Sequence, residues 1–152
     1  MSTLAAIRPD EWNLPLLVHV TGAMVLVGAL ITAVTALVAS RSSMPAPMKR
    51  VAFRTLLLAA LPSYILMRGA AEWILSEEGL DDEAAWIGIG FIVSDLGLLL
   101  LIVATVLTGI SARRARDQTA DSGRLGRVSV ALMSVMLAGY AVAVWAMTAK
   151  PD

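Results

Sequence analysis

The chain has 152 residues, of which 58% are hydrophobic and 16% are charged, and its mean hydropathy is +0.77. This composition leaves too little polar surface to cover a water-soluble globule, and the absence of cysteine excludes disulfides and thiolate metal sites. Twelve basic and twelve acidic residues cancel, so net charge gives no sign of a nucleic-acid partner. We predict a single integral membrane domain over residues 1–152, with the lipid bilayer as its partner and no nucleic acid.

Four apolar segments are long enough to cross the bilayer core, which is roughly 30 Å thick and takes about 20 helical residues. In chain order these spans cover residues 14–39, 51–75, 85–112 and 128–148. We expect the first span to be retained, because MSTLAAIRPDEWNLP before it lacks the basic start and cleavage site of a signal peptide. The connections are short and polar, so the predicted fold class is all-α, a four-transmembrane-helix up-down-up-down bundle.

Basic and acidic residues are segregated between the connections. Lysine and arginine lie in and beside the first and third connections, whereas the second, SEEGLDDE, has acidic residues and no basic one. The positive-inside rule then places the basic connections in the cytoplasm and both termini on the outer side. Tryptophan belongs at membrane interfaces, and Trp12, Trp73, Trp86 and Trp145 all fall near the outer ends of the spans. We predict a multi-pass protein of the bacterial inner (plasma) membrane.

The ionisable and phenolic side chains within the spans all lie in the outer half of the bilayer or near its midplane. At about 1.5 Å per residue from the outer boundaries, the depths are about 5 to 10 Å for His19, Arg68 and Glu72. For the remaining three, Tyr64, Asp95 and Tyr140, the depths are roughly 12 to 17 Å. Tyr64, Arg68 and Glu72 also share one stripe of span two, since they are four residues apart. We predict that these side chains form an outward-facing intramembrane polar site and that the inner half of the bundle is apolar.

Arg68 and Asp95 are the charged side chains whose burial in the bilayer costs the most free energy. A charge at the bilayer centre costs about 2.5 to 3.5 kcal/mol, so both should face the bundle interior and pair across spans two and three. Glu72, one turn further out on the same helix as Arg68, is the competing partner. Two interpretations stay open: an ion pair that only fixes helix register, and a functional site.

His19, the single histidine, has a stripe of small residues beneath it and should point inward. It is a candidate haem or metal ligand, or a proton carrier. One histidine cannot supply both axial ligands of a haem, so Met67, Met147 or a second chain would complete the site. The alternative is a histidine hydrogen-bonded near the interface. The stripe Met133, Met136, Tyr140 and Met147 in span four suggests either copper or core packing.

Several reaction classes have no support in the sequence. It contains no nucleotide-binding glycine loop, no HExxH pair and no second histidine beside a nucleophile. No catalytic residue is therefore assigned, and whether the chain is an enzyme stays open.

Two motifs carry a resemblance to a known group. LLVHVTGAMVLVGALI in span one and AVAVWAMTAKP at the end resemble an uncharacterised integral membrane family of the copper-resistance-D-like (CopD/HemJ-like) four-helix superfamily. The resemblance implies His19 as a ligand of haem b or copper and Lys150 with Pro151 as a terminal signature. The haem-dependent oxidase of that group uses an intramembrane lysine. Here both lysines, Lys49 and Lys150, are predicted outside the spans, which counts against oxidase activity.

The leading functional hypothesis is a small bacterial membrane protein whose outward-facing polar site binds haem or a metal, or relays protons. The alternative is a non-catalytic accessory or structural subunit, in a homo-oligomer or a larger membrane complex. In that case the polar cluster would be an interhelical ion pair.

Overall fold

The computed structural model describes residues 13–41, 45–78, 85–117 and 122–149, and these ranges contain helices and no strand. The elements are α1 (Asn13–Ala39), α2 (Pro45–Thr55), a π-helical turn (Leu56–Ala60), α3 (Leu61–Glu78), α4 (Ala85–Arg116) and α5 (Ser122–Ala149). Since α2, the π turn and α3 are continuous, they form one long helix. Four segments are long and apolar enough to cross a membrane: 13–39, 46–76, 88–116 and 123–149. The all-α, four-helix, multi-pass membrane fold is confirmed.

Three helix ends extend four or more residues beyond the predicted spans. The second helix begins at Pro45, the third ends at Arg116 and the fourth begins at Ser122. Hydropathy marks only the apolar stretch, whereas the helix continues into the basic ends. A proline in the first turn loses no hydrogen bond, and the arginines in the last turn of α4 interact favourably with the helix dipole.

The structure describes the side chains of two of the four tryptophans. Trp73 and Trp145 are 45% and 59% exposed on the bundle surface, as residues at a membrane interface should be. The side chains of Trp12 and Trp86 lie outside the described residues, and so do Lys150 and Pro151.

The helices pack as a ring in which α1 lies along α2, the π turn and α3, and α4 lies along α5. We call the end where α1 and α4 begin the outer end, and the opposite end the inner end. Toward the inner end α2 packs against α4. α1 also contacts α5. Toward the outer end α3 and α4 hardly touch. The bundle is therefore closed at its inner half and open between α3 and α4 at its outer half.

Large side chains and alanines alternate in the core. Leu30, Leu56, Leu101 and Met133 are completely buried, and so is Ala33. Small residues let the helix backbones approach closely, which favours association within lipid. Met136 is also buried in this core, at 3% exposure, so the core-packing interpretation holds for it and Met133.

The predicted small-residue face of α1 does point inward. Gly22 is its closest contact, because a Cβ added there would lie 3.0 Å from the Met67 nitrogen and 3.1 Å from the Ser63 oxygen. Only glycine lets the α1 and α3 backbones come so near at this level.

The π turn ends at Ala60, two residues before Pro62. Proline has no N–H, and its ring clashes with the carbonyl four residues earlier in a regular α-helix. The Leu61 N–H bonds to the Leu56 oxygen, five residues back, which widens the helix there. One extra residue shifts the register of everything after it by about 100°. The π turn thus helps set which faces of α3 carry Tyr64 and Arg68.

The inner half is not purely apolar, contrary to the prediction. Lys49 is 5% exposed and lies near the start of the second long helix, within the range 46–76 that is long and apolar enough to cross a membrane. It lies beside Gly126, where an added Cβ would be 3.6 Å from Ser111 Oγ and 4.0 Å from Lys49 Cε. Thr108 and Ser129 are buried at the same end. Hydropathy misses this because a lysine can bury its aliphatic stem.

Candidate functional site

A cavity of about 330 Å³ lies at the outer end between α1, α3, α4 and α5, beside the gap between α3 and α4. Its wall is mostly apolar. The polar residues of the wall are His19, Arg68, Ser94 and Tyr140. The volume is at the lower end of the range of about 300 to 1,000 Å³ found for ligand pockets.

His19 is fixed by the backbone of α3. Its Nδ1 lies 3.0 Å from the carbonyl oxygen of Met67, on the helix that Gly22 holds close. A carbonyl oxygen only accepts hydrogen bonds, so Nδ1 carries a proton and donates it. In the uncharged imidazole, Nε2 then has a lone pair on the other edge of the ring. Histidines that bind metals are oriented in this way, with one nitrogen bonded to the protein.

Arg68 has three partners. It forms an ion pair with Glu72, one turn away on α3, and its Nη2 lies 3.6 Å from Asp95 Oδ1 on α4. Its guanidinium carbon also lies 4.5 Å from the centre of the Phe91 ring, a cation–π distance. The predicted Arg68–Asp95 pair is confirmed, and so is the competition from Glu72. Both carboxylates contact the guanidinium at once.

The prediction that Asp95 faces the bundle interior is wrong. The Asp95 side chain is 68% exposed and that of Glu72 is 56% exposed, whereas Arg68 is 24% exposed. The reason is the gap between α3 and α4, which leaves both carboxylates at its rim. Arg68 bridges this gap, with the cavity on one side and the carboxylates on the other. Two carboxylates and one guanidinium give the rim a formal charge of −1.

Tyr64 does not line the cavity. It is 3% exposed, and its hydroxyl donates to the Ser94 carbonyl oxygen at 3.1 Å and lies 3.2 Å from Ser94 Oγ. Tyr64 therefore ties α3 to α4 just beyond the place where they diverge.

The ring of Tyr140 lines the cavity, but its hydroxyl does not point into open space. The hydroxyl oxygen is buried, and an added Cβ at Gly97 would lie 2.9 Å from it. Among the described residues it has no hydrogen-bond partner. The six predicted residues thus separate into a cavity group, a pair of carboxylates at the rim and the buried Tyr64.

Sequence reasoning missed Phe91 and Ser94. Phe91 lies four residues before Asp95, on the same face of α4, and that spacing was the available signal. Met67 and Met147, which were considered as haem ligands, both line the cavity. Within the described part of the chain, no three His, Cys, Asp or Glu side chains come together as a metal site.

No family model, curated protein or solved structure matches this chain. The resemblance to the copper-resistance-D-like superfamily consequently stays a prediction. The function has to be argued from the cavity itself.

Proposed function

We propose that this protein is a membrane-embedded binding protein whose outer cavity takes a small apolar ligand from the bilayer and contacts it through His19. One observation carries the proposal: an apolar cavity of about 330 Å³ has on its wall a histidine whose Nδ1 is already bonded to the Met67 oxygen. Binding sites for small molecules combine such walls with a few oriented polar groups. Nε2 of His19 is then the group that a ligand would meet.

Haem b fits this cavity only in part. His19 is suited to be an axial ligand, and Met147, which lines the same cavity on α5, has a sulfur of the kind that completes His/Met ligation. Haem also carries two propionate carboxylates, which need cations or donors. The one cation on the described cavity wall, Arg68, already contacts two carboxylates. The charges therefore disfavour haem in this cavity.

Copper is a second candidate occupant of the same cavity. Imidazole nitrogen and thioether sulfur are ligands that suit Cu(I). His19, Met67 and Met147 supply one imidazole and two thioethers from three different helices. Metal analysis of the purified protein, with a His19→Ala variant beside it, tests this candidate directly. Copper near one atom per chain, lost in the variant, would establish it.

A proton relay across the whole membrane has less support. Below the level of Tyr64, the core contains Leu30, Leu101 and Met133, all completely buried. The next buried hydroxyls on α4 belong to Thr105 and Thr108, about 12 to 17 Å further along the helix from Gly97. Along α4, an apolar stretch of this length therefore separates the two groups of buried hydroxyls.

The accessory role is favoured by a different observation, the exposed carboxylates of Glu72 and Asp95. A charged side chain that faces acyl chains costs about 2.5 to 3.5 kcal/mol at the bilayer centre. A partner helix that covers the gap between α3 and α4 would remove this cost. A photo-crosslinking residue at Leu96, which is 56% exposed beside Asp95, tests whether another protein or a second copy lies there.

We also propose that the chain lies in a bacterial inner membrane with both termini and the cavity on the outer side. The segregation of charge supports this. The inner end carries the arginines of α2, of the end of α4 and of the start of α5, whereas the acidic connection follows α3 at the outer end.

The cavity proposal is tested by filling the cavity. Ala71 lies on its wall, so Ala71→Phe should occupy the space and exclude a ligand. Ala138 is exposed on α5 and is not on the cavity wall, which makes Ala138→Phe the matched control. The proteins are purified in mild detergent, and the molecules bound to them are extracted and identified. We expect one apolar compound to accompany the wild type and the Ala138 variant, and to be lost from the Ala71 variant. The same bulk lipids on all three proteins would contradict the proposal.

A further inference from the structure

We infer that the ligand of the outer cavity is an uncharged amphiphile with a hydroxyl group, and that this hydroxyl donates a hydrogen bond to Nε2 of His19. The inference rests on the proposed function, because it specifies the class of ligand that the cavity binds. Alkylphenols, quinols and long-chain alcohols belong to this class.

The requirement for a hydrogen-bond donor, which a hydroxyl supplies, follows from the hydrogen bond at the other ring nitrogen. Nδ1 of His19 donates to the Met67 oxygen at 3.0 Å. A neutral imidazole has only one N–H, so its Nε2 accepts and cannot donate. A ketone, an ester or an ether offers Nε2 only another acceptor. A hydroxyl offers a proton, and a lone pair that is buried without one costs free energy.

The absence of charge follows from the partners of Arg68. Its guanidinium contacts Glu72, Asp95 and the Phe91 ring, so its positive charge is already compensated. The rim has one carboxylate in excess, which would repel a ligand carboxylate or phosphate. A cationic ligand would meet the guanidinium before it reached those carboxylates, since Arg68 is on the cavity wall and they are not. Only an uncharged polar group avoids both penalties.

The other polar groups of the wall do not compete with His19 for the ligand. Ser94 Oγ lies within hydrogen-bonding distance of the Tyr64 hydroxyl, at 3.2 Å. The Tyr140 hydroxyl is buried against Gly97. The remaining wall is apolar and suits a ring or a hydrocarbon chain. Because Nε2 of His19 is a hydrogen-bond acceptor in an otherwise apolar cavity, the cavity favours an apolar molecule with one hydrogen-bond donor.

Three matched probes test the inference on the whole chain in lipid nanodiscs: para-decylphenol, para-decylanisole and para-decylbenzoate. The anisole is the phenol with its hydroxyl proton replaced by a methyl group, and the benzoate adds a charge. Affinities are compared at equal mole fraction in the lipid. We expect the phenol to bind about tenfold more tightly than the anisole, the effect of one buried hydrogen bond, and the benzoate to bind more weakly than the phenol.

Two variants test whether the preference for the phenol arises from His19. His19→Phe keeps a ring in place but removes the acceptor, so it should bind phenol and anisole equally. Thr32→Val is the control on the same helix, because Thr32 is exposed and its hydroxyl donates to the Gly28 oxygen one turn earlier. It should keep the preference for the phenol. The comparison of probes on the wild type needs no variant, so it holds even if His19→Phe fails to fold.

The outcomes separate the inference from the proposed function. Equal binding of phenol and anisole by the wild type, or tightest binding of the benzoate, would overturn the inference and leave the cavity as a site for apolar molecules. If none of the three probes binds, both the inference and the proposed function are wrong. A preference for the phenol that persists in His19→Phe would show that His19 is not the acceptor.

Discussion

Arg68 contacts two carboxylates, and one of them is enough to balance its charge. We therefore expect Glu72→Gln and Asp95→Asn each to cost about 1 kcal/mol or less, as for other exposed ion pairs. The double variant leaves a partly buried guanidinium without a counter-charge and should cost about 3 kcal/mol or more. Unfolding in mixed detergent micelles measures these values, with Asp117→Asn, an exposed acid at the end of α4, as the control. Losses that simply add in the double variant would contradict the shared pairing.

The pairing of Arg68 could be predicted from the sequence, but the exposure of its two carboxylate partners could not. The cost of an isolated charge in lipid requires a partner, and the spacing of Arg68 and Glu72 together with the short connection to Asp95 limits the choice. Which side of the helix pair faces the interior depends on how α3 and α4 diverge. That divergence arises from contacts between residues far apart in the chain, which no local pattern records.

The contact between α1 and α3 depends on Gly22. The hydrogen bond from His19, one turn earlier, to the Met67 oxygen depends on the same contact. A Cβ at position 22 would press on backbone atoms of Met67 and Ser63, so Gly22→Ala must push the helices apart. We expect a loss of about 1 to 3 kcal/mol in the free energy of unfolding. Gly28→Ala on the same helix is the matched control, because nothing lies within 4 Å of its Cβ position. That variant should be neutral or slightly stabilising. Equal losses in both variants would mean that the close approach is unimportant.

Element lengths were predictable, because hydropathy is a local property and each helix has an unbroken apolar stretch. The helix ends were harder to predict. In α2, α4 and α5 the helix includes basic residues, at which the hydropathy falls although the helix continues. Pro62 was the one visible sign of the π turn. The burial of Lys49 had no sign at all, because its neighbours Ser111 and Gly126 are distant in sequence.

The orientation of the whole bundle is a prediction from charge, and the chain is well suited to testing it because it contains no cysteine. Single cysteines are placed at Glu83 in the acidic connection and at Gln118 in the third connection. A membrane-impermeant thiol reagent is then added to spheroplasts. Following the positive-inside rule, we expect labelling at position 83 in intact spheroplasts and at position 118 only after lysis. The reverse pattern would place the cavity on the cytoplasmic side.

For the proposed ligand to bind, the cavity must present an acceptor nitrogen, and the single histidine of the chain makes this directly measurable. Protein labelled with ¹⁵N-histidine, without a histidine tag, gives imidazole signals from His19 alone. We predict a neutral ring protonated at Nδ1, with an unprotonated Nε2 signal that shifts when para-decylphenol is added and not when para-decylanisole is added. A ring protonated at Nε2 alone, or an Nε2 signal that para-decylphenol leaves unchanged, would contradict the account.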